Sequence, residues 1–115
     1  MSPNKRAGNA AAAPGGSNVQ IGQQLAGGYG WGTGAQWSCL VALWDRESGW
    51  SATATNPQSG AYGIPQALPP SKMPAAALPP ESSASSQITW GLSYIAGTYG
   101  TPCGAWQHET DDGWY

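Results

Sequence analysis

Apolar positions recur with helical spacing in two stretches of the chain. Trp37, Leu40, Val41 and Trp44 fall at i, i+3, i+4 and i+7, predicting an α-helix over about 35–48 with one apolar face. Ile88, Gly91, Leu92, Ile95 and Tyr99 predict another over about 85–99, entered through serines and stopped at Gly100. A shorter helix is expected over about 19–28, carrying Ile21 and Leu25 and running out into the glycine-rich AGGYGWGTG. Residues 49–68 hold Asn56-Pro57 and Ser59-Gly60, both turn signals, and admit a small hairpin. Residues 69–82, with two Pro-Pro pairs, read as an irregular connection. Pro102 is suited to open a last helical turn through Trp106 and His108, followed by a polar tail ending in Trp114-Tyr115. Residues 1–18 are Ala/Gly/Ser/Pro-rich without periodicity and read as a flexible lead. The expectation is one small, mainly α domain over 19–115 with little or no sheet.

The 115 residues suffice for a single domain, and a domain of this size gains from a covalent staple. Cys39 and Cys103 are too far apart for metal-ligand spacing, and no second pair completes a zinc set. Paired, they would close a loop of about sixty residues, a constraint amounting to about 4 kcal/mol in the chain-entropy picture. That favours an oxidising compartment; two buried free thiols are the alternative. No apolar run approaches the roughly eighteen residues of a membrane span, so no membrane insertion is expected. Nor is a signal peptide: Lys5 and Arg6 precede an alanine run that Pro14 interrupts. A protein working outside a cell would then lose an upstream part or leave within a phage particle.

Charged residues are only 9% of the chain and the net charge is −2, with four scattered basic residues. A nucleic-acid partner is therefore not expected, because such surfaces cluster Lys and Arg. Seven Trp and five Tyr with no Phe point elsewhere. These rings join an apolar face to a polar handle and suit a partly wet ligand such as a sugar.

Against this background Glu47 stands out. At about 100° per residue it sits at the edge of the apolar face of the 35–48 helix, in its last turn, while Asp45 and Arg46 point away. A carboxyl held against rings loses hydration in its charged form, and the negative end of the helix acts in the same direction. A carboxylic acid kept protonated near neutral pH is what protonation of a glycosidic oxygen requires. The plain alternative is a helix-end glutamate paired with Arg46 or exposed by fraying.

The residues that follow carry a resemblance. Glu47-Ser48, Ala54, Ser59, Gly60-Ala61-Tyr62-Gly63 and Gln66 stand in the order of a signature: Glu-Ser, a spacer with Ala and Ser, then Gly-Ala-x-Gly, two apolar residues and Gln. This resembles the soluble lytic transglycosylases. The phrases YGWGTGAQW, RESGW, GAYGIPQALP, QITWGLSYI and YGTPCGAW extend the likeness over about 19–115, to a compact actinobacterial and actinophage branch related to resuscitation-promoting factors. The resemblance implies a lysozyme-like small α+β fold. It also implies cleavage of the β-1,4 bond between N-acetylmuramic acid and N-acetylglucosamine in peptidoglycan. Glu47 would act first as acid and then as base towards the muramic 6-hydroxyl, closing a 1,6-anhydro ring, with the substrate's acetamido group stabilising the positive centre. Tyr94 stands nearest to the tyrosine that braces the acid in the family, although Ile95 occupies the family's Asn position. Pro65 departs from the family's GLMQ phrase and removes a backbone donor. The segment PAAALPPESSASS replaces a longer lead into the third helix and alters one groove wall.

The remaining candidates follow from this reading. Glycan contacts are expected from Ser48, Tyr62, Gln66, Trp90, Tyr94 and Trp106, with core packing the alternative for the aromatics. Trp90 and Tyr94 form an i, i+4 pair roughly opposite Ile88 and Ile95; Trp37 and Trp44 are assigned to the core. A two-carboxylate hydrolase needs a partner acid about 5–9.5 Å away. Asp45 faces away, Glu81 lies in the connection, and Glu109, Asp111 and Asp112 fall in the expected tail, solvated. A one-acid transglycosylase therefore fits better than a lysozyme, with hydrolysis by the same Glu47 left open. A non-catalytic glycan-binding or phage-tail module is the competing class. No cofactor or metal is expected; the partner is the peptidoglycan strand, the protein a monomer, and the location the cell wall, extracellular space or a virion.

Overall fold

The computed structural model describes residues 16–115. Among them are four α-helices: α1 (Gly16–Gly27), α2 (Gly34–Ser48), α3 (Ala84–Thr98) and α4 (Pro102–Asp112). Two 3₁₀ turns, Pro70–Lys72 and Ala75–Ala77, punctuate the proline-rich connection between α2 and α3. No sheet forms among the described residues. In place of the hairpin, Tyr62 pairs through isolated bridges with both Thr55 and Ala67. The fold is mainly helical, as the apolar spacing predicts, and no described helix is long and apolar enough to cross a membrane.

Of the lead expected over 1–18, residues 1–15 lie outside the described residues, whereas Gly16, Ser17 and Asn18 begin α1. The contact face of α1 also differs from expectation. Gly22 and Ala26 are buried, while Ile21 and Leu25 only flank the core. The reason is close approach: a Cβ on Gly22 would lie 2.4 Å from the ring of Trp50.

α2 buries Leu40, Leu43, Trp44, Glu47 and Ser48. It ends where Gly49 turns left-handed (φ 61°) and its N–H donates to Asp45 O, a closure glycine adopts without Cβ strain. Trp50 is left-handed as well (φ 61°), a costly state for a bulky residue. It is held there by packing: its ring meets Trp44 edge-on at 5.1 Å, and its Nε1 donates to Val41 O at 3.3 Å.

Ser83 caps α3 by accepting from Ser86 N, and Thr101 caps α4 by accepting from Gly104 N. The buried face of α3 is Gln87, Ile88, Gly91, Leu92 and Ile95. Together with Leu40, Leu43, Trp44, Trp50, Ile64 and Tyr115 the apolar members form the main core, each large side chain contributing about 1.5–3 kcal/mol on burial. Tyr62, Ala67, Met73 and Ala77 form a second cluster, with Trp90 packed against it.

The C-terminal region corrects the expected single turn and polar tail. α4 runs through Asp112 to a left-handed Gly113 and buries Pro102, Ala105 and Glu109. The chain then folds back: a ring nitrogen of His108 lies 2.7 Å from Trp114 O, and Tyr115 is fully buried. Cys39 and Cys103 form a disulfide joining α2 to α4, with a Cα–Cα distance of 5.0 Å, which settles the pairing against two free thiols.

Candidate active site

Glu47 projects from the last turn of α2 and is fully buried, whereas Asp45 and Arg46 are exposed. The main-core residue Tyr115 lies within its electrostatic reach. The Tyr115 phenol is pushed well above its ordinary range, chiefly by burial and next by the Glu47 charge. Its oxygen accepts from Trp44 Nε1 at 2.9 Å and donates to Pro65 O at 2.7 Å. Both ends of the signature, the helix that carries Glu47 and the GAYGIPQ loop, are thus tied to one phenol.

The loop is irregular but fully braced. Asn56 Oδ1 accepts from the amides of Gln58 and Ser59, turning the chain, and Asn56 N donates to Ala61 O. Ser48 Oγ donates to Ile64 O at 2.7 Å, pinning the loop to α2. From α3, the buried amide of Gln87 accepts from Ile64 N at 2.8 Å and donates to Ala52 O and Ala77 O. Gly63 is required beneath it. Its φ is +79°, and a Cβ there would lie 2.6 Å from Gln87 Oε1. Gln66 is also left-handed (φ 55°) and fully buried, its Nε2 donating to Ala54 O and Gly63 O. Pro65 fits this loop without the missing donor: it is buried, its carbonyl serves Tyr115, and its ring reaches the space that Gly91 leaves.

The other expected contacts fall in three places. Trp90 and Tyr94 are half-buried and stacked, with centroids 5.4 Å apart and planes within 10°. Tyr94 in turn meets Tyr115 edge-on at 5.7 Å, and burial raises the phenols of both Tyr94 and Tyr99. Tyr62 belongs to the second cluster and hydrogen-bonds Ser82 Oγ. Trp106, on α4, sits under the Arg46 guanidinium at 5.9 Å.

Three residues hold places that differ from, or are absent from, the sequence expectations. Gln87 is the polar member of the α3 core face, one helical turn before Gly91, and a polar side chain in that register was the available signal. Glu109, expected in a solvated tail, is instead fully buried, with Arg46 Nε 3.7 Å from its Oε2. Its spacing from Pro102 and Ala105, with Gly113 beyond, marks one face of a capped helix. Tyr115 carried no local signal, because only tertiary closure brings it inward. Among the described residues no group of three His, Cys, Asp or Glu is placed to hold a metal ion. Comparison with family models, with curated proteins and with solved structures returns no match.

Proposed function

We propose that the domain cleaves the β-1,4 bond between N-acetylmuramic acid and N-acetylglucosamine in peptidoglycan, with Glu47 as acid and base. The observation carrying this reading is the carboxyl of Glu47, buried at the end of α2, where Ser48 pins the glycine-turned loop to that helix. Two residues of that frame, Trp50 and Gln66, hold left-handed backbone against their intrinsic preference, and such strain clusters where geometry serves chemistry.

In the proposed reaction Glu47 gives its proton to the glycosidic oxygen as the muramic C1–O bond breaks. The reaction requires Glu47 to start protonated. The acetamido oxygen of the sugar shields the positive C1. The Glu47 carboxylate then takes the proton of the 6-hydroxyl, whose oxygen bonds to C1, giving a 1,6-anhydro end and restoring the acid. Gln66 commits its Nε2 to Ala54 O and Gly63 O, which leaves its buried Oε1 as the acceptor it can still offer.

Hydrolysis of the same bond is the second reading, and Glu109 is the observation that favours it. Glu109 is a second fully buried acidic residue, on α4, and in a two-acid reaction it would be the candidate partner of Glu47. Incubation with purified sacculi and mass spectrometry of the released muropeptides separates the two. Anhydro ends that vanish in Glu47→Gln support transglycosylation. Reducing ends lost in both Glu47→Gln and Glu109→Gln support hydrolysis, and wild-type binding without release sinks both.

A further inference from the structure

A cleft of about 400 Å³ opens on the outer side of α3, between that helix and Pro74. Its lining is Pro74, Ser85, Ser86, Thr89, Trp90 and Ser93. Glu47 is not among these residues, and four of the six contribute a hydroxyl. From this lining we propose that the cleft is a separate binding site for one uncharged pyranose unit of a glycan chain, seated on Trp90 and held by the hydroxyls of α3.

The chemistry of the lining selects the ligand class. Each hydroxyl both donates and accepts, as sugar hydroxyls and acetamido groups do, so pairs form in either sense. No lining side chain is charged, so a phosphate or carboxylate would be desolvated there without a counter-charge. Ser85 Oγ already pairs with Ser83 Oγ at 3.2 Å, but a purely apolar ligand would cover the hydroxyls of Ser86, Thr89 and Ser93 without offering them a partner. A pyranose avoids both costs, since its C–H face suits the indole and proline rings while its rim suits the hydroxyls. The volume lies within the range of small-ligand pockets.

The platform is also fixed in advance. Tyr94 covers one face of the Trp90 indole, and the second core cluster packs against Trp90 as well. Thr89 and Ser93, one turn apart on α3, are exposed and flank it. Through Trp90, Tyr94 and Tyr115 the cleft is linked by successive ring contacts to the core around Glu47. That the ligand is a glycan rests on the cleavage reading above; that it is neutral and rich in hydroxyls rests on the lining alone. The serines of the first turn of α3, Ser85 and Ser86, thereby acquire a role: they build part of the wall of a second sugar site.

The test is a titration of isotope-labelled protein with tetra-N-acetylchitotetraose, following backbone amides and the Trp90 indole N–H by NMR. The expected result is saturable shifts at Ser86, Thr89, Trp90 and Ser93. The double variant Thr89→Val, Ser93→Ala keeps shape and removes two exposed hydroxyls, and should weaken binding roughly tenfold with an otherwise unchanged spectrum. Silent cleft amides, or an unchanged affinity in the double variant, overturn the proposal. Shifts confined to the loop around Gln66 overturn it too while leaving the cleavage reading intact. Cleft shifts in a protein that releases no muropeptides would leave this site standing and remove the role of Glu47.

Discussion

The indole N–H of Trp44 donates to the phenol oxygen of Tyr115 at 2.9 Å, across 71 positions of sequence. The same phenol donates to Pro65 O, so one hydroxyl ties together the acid-bearing helix, the signature loop and the end of the described chain. In Tyr115→Phe the ring remains but a buried indole N–H and a buried carbonyl lose their partner. The expected loss is about 2–4 kcal/mol, from two unsatisfied groups of about 1–3 kcal/mol each with partial relaxation. Urea denaturation at pH 7 measures it; a midpoint within error of wild type would show that the phenol is not a structural tie.

Glycines in α3 are expected to respond in opposite directions. A Cβ on Gly91 would lie 2.6 Å from the Trp44 ring, whereas Gly97 on the same helix has nothing within 4 Å. Gly91→Ala therefore overpacks the core, costing about 1–3 kcal/mol, which outweighs the helix-propensity gain. Gly97→Ala keeps that gain and should stabilise by up to about 1 kcal/mol. Thermal melts of the two variants should shift to opposite sides of wild type.

Reduction of Cys39–Cys103 frees a loop spanning a sequence separation of 64. The reduced protein is expected to lose up to about 4 kcal/mol, lowering its urea midpoint. Double replacement by serine should reproduce that loss, and thiol counting under denaturing conditions should give no free thiol before reduction.

Alkaline pH should destabilise the fold through its tyrosines. Burial raises the phenols of Tyr115, Tyr99 and Tyr94 above their unfolded value of about 10. Below that pH folded and unfolded chains both keep these protons, so there is no difference between them. Above it the unfolded chain releases protons that the folded chain retains, and stability falls as pH rises. Urea midpoints between pH 8 and 11 should hold up to about pH 9 and decline as pH passes about 10, with part of the 295 nm phenolate absorbance appearing only on unfolding. A flat midpoint over that window would contradict the prediction.

Glu47→Gln should keep the fold, since an amide replaces the carboxyl at nearly the same volume, while glycan cleavage falls by roughly 10²–10⁴-fold. Muropeptide release from sacculi supplies the rate, and circular dichroism the fold. Release unchanged from wild type would remove Glu47 from the chemistry.

What the sequence made legible follows from how each element is buried. α2 and α3 bury large residues on one stripe, and apolar spacing finds such helices with their ends. α1 and α4 meet their neighbours through Gly22, Ala26 and Ala105, where backbones approach closely and hydropathy is silent. The burial of Glu47 was readable because its register is fixed by Trp37, Leu40 and Trp44. Glu109 has only proline and alanine to mark its face, and Tyr115 lies beyond any period, so their placement depends on tertiary closure. The bracing of the loop was equally hidden. Sequence spacing brings Glu47 and Gln66 into one phrase, but it is Gln87, from another helix, that fixes the loop between them.

That bracing amide has a consequence for exchange with solvent. Residues 52–67 contain no strand beyond isolated bridges, yet Ile64 N–H ends on Gln87, and the amides of Asn56, Gly60, Tyr62, Gly63, Gln66 and Ala67 all end on carbonyls. A segment that looks like coil should therefore hold its deuterium-exchange protection as a helix does. The amides should open together, because releasing one glutamine side chain from α3 releases three points of the loop and its connection at once.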